Sequence, residues 1–196
     1  MGKSISKEQM QTYKDIIKGR FDEKEITHMH TVFHKAAPSG RMKPADFKRY
    51  LEDLEVFKRV DPHETYDHLF RGYDRDGNGE IDFKEYLLFH SAILYSTEEL
   101  LDLVFRTYDR NRTGFINQND LVTVLTNSTR WMGDFDVENK VVQDMIKAEV
   151  ERIMNFVYAN QSVQAEPVKY NQIAKEELRL VSMDHPEILE KLKNLM

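Results

Sequence analysis

Residues 74–85 read DRDGNGEIDFKE, and a chain that crowds Asp74, Asp76, Asp82 and Glu85 around glycines has few ways to fold. Like charges at this spacing repel one another along a helix, and glycine weakens helices and strands alike. The same crowding becomes favourable when the oxygens converge on a hard divalent cation. The stretch matches the calcium-loop template D-x-[DN]-x-[DN]-G-x₅-E at every specified position. Asp74, Asp76 and Asn78 supply side-chain oxygens at the first, third and fifth positions. Gly79 stands where the loop turns sharply, Glu80 offers its backbone carbonyl, and Asp82 acts at the ninth position, often through water. Glu85 closes the shell with both carboxylate oxygens. Ile81 is the apolar residue that packs against a partner loop.

The flanks predict a helix on each side. Asp61-Pro62-His63-Glu64 has the form of a capped helix start, and Tyr66, Leu69, Phe70 and Tyr73 follow at helical spacing. Phe83, Tyr86, Leu87 and His90 form the second amphipathic run. Helix, loop and helix make an EF-hand, and the unit repeats. Phe70-Arg71-Gly72-Tyr73-Asp74-Arg75 returns as Phe105-Arg106-Thr107-Tyr108-Asp109-Arg110. The later loop, DRNRTGFINQND, places Asp109, Asn111, Thr113, the Phe115 carbonyl, Asn117 and Asp120 at ligand positions, with Gly114 at the turn and Ile116 pairing. Its closing Asp120 is one methylene shorter than Glu, which lowers calcium affinity and lets Mg²⁺ compete.

Two further copies are degenerate. Upstream, HKAAPSGRMKPADF keeps Gly40 and Met42 but sets Lys35, Ala37, Ser39 and Lys43 at ligand positions, leaving only Asp46 able to bind. Downstream, the amphipathic run from about Val141 to Val157 leads into YANQSVQAEPVKYNQ. Val168 and Tyr170 are aligned there with the pairing and following positions, and Gln161, Val163, Ala165 and Gln172 offer no charge. The fold class expected is all-α, with four EF-hands in two paired lobes and short antiparallel strand pairs between loops. The divisions are an N-terminal arm (1–21), a first pair (22–94), a second pair (97–182) and a C-terminal amphipathic helix (183–196). In that last segment Asp184 and Glu187 form the cap, and Ile188, Leu192 and Leu195 share a face.

Composition excludes several alternatives. The 196 residues carry a net charge of −6 and no cysteine, against phosphate-backbone binding and against disulfide or thiol chemistry. No nucleic-acid partner is expected. No apolar run approaches the roughly 20 residues that cross a bilayer, and the N-terminus lacks a secretory apolar core. The order His63-Glu64-Thr65-Tyr66-Asp67-His68 misses the zinc-protease pattern, because its second histidine comes one residue late. His30 and His34 share a helix face, which reads as a structural pair. An enzyme is not expected.

The first loop's Pro38-Ser39-Gly40, preceded by Phe33-His34-Lys35, resembles the inactivated first hand of the neuronal calcium sensor (recoverin-like) family, with Ala37 replacing a cysteine. Phe21-Asp22-Glu23-Lys24-Glu25-Ile26 resembles that family's entry into its first helix, with Met29-His30 where its Trp-Tyr stands. The resemblance covers roughly residues 1–185. MGKSIS separately fits M-G-x-x-x-[ST], making Gly2 a candidate for N-myristoylation; Lys3, Lys7, Lys14 and Lys18 are candidates to meet acidic lipids. The resemblance implies a calcium sensor, cytoplasmic and peripheral on the cytosolic face of membranes. It would bind Ca²⁺ at two hands and expose an apolar groove to an amphipathic helix of an enzyme, receptor or channel. Tyr50, Leu54 and Phe57 are the groove candidates. An obligate enzyme subunit resembling the phosphatase B subunits, and a calcium buffer, are the competing readings.

Overall fold

The computed structural model describes residues 4–54, 66–95, 97–132, 135–160 and 171–195. Gly2, Phe57, the Asp61–Glu64 cap and residues 161–170 lie outside them. Local capping starts the first helices. The Ser6 hydroxyl accepts from the Gln9 N–H at 3.1 Å while Gln9 Oε1 accepts from the Ser6 N–H at 2.9 Å, opening α1 (Lys7–Ile16). Asp22 and Glu25 make the same reciprocal box for α2 (Glu23–Ala36). Each box satisfies orphan N–H groups and contributes about 1 kcal/mol.

β1 (Arg41–Met42) leads into α3 (Pro44–Asp53), which has Pro in its first turn. α4 (Asp67–Tyr73), β2 (Ile81–Asp82) and α5 (Phe83–Tyr95) form the second hand. α6 (Thr97–Tyr108), β3 (Phe115–Asn117) and α7 (Gln118–Met132) form the third. α8 (Lys140–Ala159), β4 (Gln172–Ala174), α9 (Lys175–Asp184) and α10 (Glu187–Asn194) complete an all-α architecture.

β1 pairs antiparallel with β2, setting Met42 opposite Ile81, and β3 pairs with β4, setting Ile116 opposite Ile173. The second pairing corrects the expected register. Ile173, not Val168, is the pairing residue of the fourth hand, and Gln172 is a strand residue opposite Asn117. α8 ends at Ala159, whereas α4 runs directly into Asp74. The fourth hand therefore has more chain between its first helix and its strand, Ala159 to Gln172, than the second has between Tyr73 and Ile81.

One contiguous apolar core joins the two halves. Its first half is aromatic: Tyr73 stacks on Phe89 with ring centroids 3.5 Å apart, and Phe47 meets Phe70 edge-on at 5.5 Å. Fully burying such rings stabilises by roughly 1.5–3 kcal/mol each. α4 and α6 cross tightly where a Cβ on Gly72 would lie 2.7 Å from Thr107 Oγ1 and 3.2 Å from Phe89. Glycine at 72 is what allows that approach.

Both ends of the described chain pack inward. Ile17 and Phe21 are buried. Lys14 pairs with Glu23 at 2.6 Å, while Lys18 pairs with Glu99 at 2.9 Å and Arg20 joins it there. These two lysines, candidates for lipid contact, thus have partners within the chain. At the other end α10 buries Ile188, Leu189 and Leu192, and the Tyr108 hydroxyl donates to the Leu192 carbonyl at 3.0 Å. Asp184 does not cap this helix: it is the last residue of α9, and the α10 N-cap is Pro186. No described helix is long and apolar enough to cross a membrane.

Candidate metal centre

All four hands share a closing device. In each, the carboxylate at the twelfth loop position accepts the backbone N–H of the ninth. The pairs are Lys43 to Asp46 at 3.1 Å, Asp82 to Glu85 at 3.0 Å, Asn117 to Asp120 at 3.1 Å and Ala174 to Glu177 at 2.7 Å. The three turn glycines, Gly40, Gly79 and Gly114, have φ of 83°, 82° and 82°, the left-handed region that a Cβ disfavours. What separates the hands is what else lines the loop.

In the second hand, ligand-type oxygens of Asp74, Asp76 and Glu85 all lie within 4.8 Å of one another. Backbone N–H groups hold them there. Asp74 accepts from Gly77 at 2.8 Å and Gly79 at 3.2 Å. Asp76 accepts from the Asn78 N–H at 3.0 Å, and Asn78 Oδ1 accepts from the Glu80 N–H at 2.8 Å. Glu85 reaches across the loop: Oε1 accepts from Arg75 at 2.8 Å and Asp76 at 3.2 Å, while Oε2 takes the Asp82 N–H. Burial pushes the Glu85 carboxyl above the usual carboxylate range, against the lowering pull of those N–H groups. Crowded, part-buried carboxylates are costly without a cation and suit a hard divalent ion. The donor set therefore fits calcium.

Asp82 behaves differently. Its Oδ1 accepts from the Glu85 N–H at 2.9 Å and its Oδ2 lies 3.6 Å from Arg41 across the strand pair. It starts α5 and stands outside the three-residue cluster.

In the third hand Asp109 repeats the role of Asp74, accepting from Thr113 at 2.9 Å and Gly114 at 2.8 Å. Thr113 Oγ1 lies 3.2 Å from Asp109 and 3.1 Å from the Phe115 carbonyl oxygen, gathering three expected ligands. Asp120 makes the Asn117 closing bond, and burial raises its pKa. Among the described residues, no third carboxylate joins Asp109 and Asp120 in a cluster like that of the second hand.

The first loop's Asp46 is bound to the Lys43 N–H and to Arg49. Its basic residues meet the second loop instead, Arg41 facing Asp82 and Lys43 lying 3.8 Å from Glu80. Of the groove candidates, Tyr50 is buried, its hydroxyl 2.9 Å from that of Tyr86. It lines no open groove in this structure, because the aromatic core encloses it. Leu54 is 37% exposed.

Two residues went unsingled in the sequence. Glu177 is buried at the closing position of the fourth hand. Its signal was available in the apolar-x₃-acid spacing shared by Met42–Asp46, Ile81–Glu85, Ile116–Asp120 and Ile173–Glu177. Arg112, which reaches from the third loop to Asp74, left no such signal.

A family model for the EF-hand domain pair matches residues 38–89. Human recoverin is 26% identical over 182 residues, covering 89% of this chain and 89% of recoverin. Residues 38–89 thus form an EF-hand domain pair, in a chain homologous to recoverin over most of its length. S-modulin of Aquarana catesbeiana is 25% identical over 183 residues, covering 89% of this chain and 88% of that protein. The calcium-binding protein NCSA of Dictyostelium discoideum is 25% identical over 133 residues, covering 67% and 68%. The matched pair, residues 38–89, holds the β1–β2 ladder and the three-carboxylate cluster.

Proposed function

We propose that this EF-hand protein is a calcium sensor that regulates a partner protein at membranes. The observation that carries the reading is the convergence of Asp74, Asp76 and Glu85 within 4.8 Å, in a chain homologous to recoverin. In the second hand Asp74, Asp76, Asn78, the Glu80 carbonyl and Glu85 hold Ca²⁺, and Asp82 anchors the loop's exit and contributes through water. In the third hand Asp109, Asn111, Thr113, the Phe115 carbonyl, Asn117 and Asp120 hold a second ion more weakly, with Mg²⁺ competing. The bound ion supplies charge neutralisation that lets each loop contract and its flanking helices swing.

That swing exposes an apolar groove that takes an amphipathic helix of a target; Tyr50 leaves the core to line it beside Leu54 and Phe57. N-myristoylation at Gly2 supplies marginal, reversible membrane attachment, placing the protein peripherally on the cytosolic face.

The test is calorimetric calcium titration of the full chain with magnesium at about a millimolar, run in parallel with a hydrophobic dye. Two binding events in the roughly 10⁻⁷–10⁻⁵ M range of sensor hands, with a dye signal that rises with calcium and is lost in Glu85→Gln, support the sensor. Calcium binding with a flat dye signal assigns the chain to the buffers or to permanently docked subunits. Mass spectrometry after co-expression with an N-myristoyltransferase reads Gly2.

A further inference from the structure

The second loop does not face solvent alone. Arg41 and Lys43 of the first hand lie against Asp82 and Glu80, outside the carboxylate cluster. A third cation arrives from the third loop and does reach the cluster. Arg112 of the third loop sets its guanidinium 3.6 Å from Asp74 Oδ2 and donates to the Asp74 carbonyl at 3.3 Å. Arg112 occupies the fourth position of its loop and has φ of 53°, and Gly77, at the fourth position of the second loop, has φ of 75°. The two fourth positions face each other: a Cβ on Gly77 would fall within 1.4 Å of Arg112 Nη1. The absent side chain at 77 is the space that the guanidinium fills.

This contact belongs to a reciprocal interface between the two hands. Arg71, at the end of α4, donates to the Thr107 carbonyl at 3.3 Å, and Arg106, at the matching place in α6, donates to the Gly72 carbonyl at 3.1 Å. Each arginine serves the carbonyl end of the other hand's entering helix, where cations are favoured. Burial lowers the pKa of both guanidinium groups. The straps fix how the loops face one another, and so hold Arg112 over Asp74.

We propose that Arg112 is an affinity-setting residue of the second calcium site: a counter-cation supplied by the third loop that weakens cation binding at Asp74 and makes the second hand's affinity depend on the third. The proposal rests on the calcium reading of the second loop. A guanidinium beside the first ligand repels an incoming divalent ion and relieves the carboxylate repulsion that the ion would otherwise relieve. Both effects act in the same direction. Because Arg112 is half exposed, they weaken with salt. They act through charge, so calcium and magnesium feel them alike.

The experiment is calorimetric titration of CaCl₂ and of MgCl₂ into the full chain, in an Asp109→Asn background so that the second site titrates alone. Arg112→Gln is expected to raise calcium affinity about five- to tenfold at low ionic strength. Magnesium affinity should rise by a similar factor, and the gain should shrink as KCl is added. Arg112→Lys, which keeps the charge, should stay within about twofold of the parent. Circular dichroism confirms that each variant keeps its helices. Equal affinity in Arg112→Gln would make the contact a spectator. A lower affinity would make it a loop-ordering strap, and either result overturns the proposal while leaving the calcium reading intact. A parent that binds no calcium at the second site, with helices intact, sinks the calcium reading and this proposal with it.

Discussion

The second and third loops begin alike and end differently. Asp74 and Asp109 each accept two backbone N–H bonds from their own turn. Glu85 then bridges back to Arg75 and Asp76 as well as closing on Asp82, whereas the closing backbone bond of Asp120 stays local, to Asn117. One methylene decides whether the exit helix's carboxylate touches the loop's entrance. A loop whose two ends are tied through one carboxylate is preorganised for a cation. A loop whose ends are separate must be drawn together by the ion, at a cost in ordering entropy.

The largest expected effect breaks the stronger loop. Glu85→Gln removes a charge and an acceptor from a part-buried cluster and should weaken second-site calcium binding by about a thousandfold, ~4 kcal/mol. Calorimetry would show one event surviving, that of the third hand. If both events persist, the bridge across the loop is not what makes this site strong.

The first half should also respond to acid through a buried histidine. His90 is wrapped by the rings of Tyr73, Tyr86 and Phe89, with Tyr73 Oη 3.3 Å from its Nε2. Burial lowers its pKa to about 4. The unfolded chain, whose histidine titrates near 6.5, then binds protons that the folded chain refuses. Stability from this group is therefore present above pH 6.5 and lost as pH falls toward 4, by roughly 3 kcal/mol in all. Thermal melts from pH 7 to 4.5 should show less loss in His90→Phe than in the parent.

A smaller change would sharpen the loop comparison by making the weak loop resemble the strong one. Asp120→Glu should raise third-site calcium affinity about tenfold, ~1.4 kcal/mol, and its calcium-over-magnesium preference with it. No gain in a calorimetric titration would mean that neutral Thr113 and Asn117, not reach, limit that site. The smallest effect concerns the tail. Tyr108→Phe deletes the hydroxyl bond to Leu192 and should cost about 1 kcal/mol in denaturant unfolding, with faster amide exchange confined to α10.

The second loop's three-carboxylate cluster was readable because its acidic positions are chemically specific and local in the chain. The same locality served Met42 and Ile81, whose pairing follows from one shared loop position. It failed in the fourth hand, where extra chain between α8 and β4 shifts the register. There the aromatic Tyr170 drew the alignment away from the Ile173–Glu177 spacing. The Asp184 cap failed for a related reason: α9 runs on through that residue. Tyr50 shows where local spacing stops, since it places a ring on a face but does not say whether that face is open or covered in this structure. Its partner Tyr86 lies thirty-six residues away.

By itself the sequence determined the helix–loop–helix repeat, the pattern of oxygen-bearing side chains along the second and third loops and the basic character of the first. Each of these is written in residues that lie within one loop and act on one another directly. Only the tertiary structure decided that Arg41, Lys43 and Arg112 surround the second loop, that the two hands strap each other through Arg71 and Arg106, and that the tail lies against α6. Those contacts join residues tens of positions apart, and the packing of α4 against α6 over Gly72 brings the second and third loops face to face. Local spacing carries ligand identity, while the charge around the ligands is set by which loops the folded chain makes neighbours.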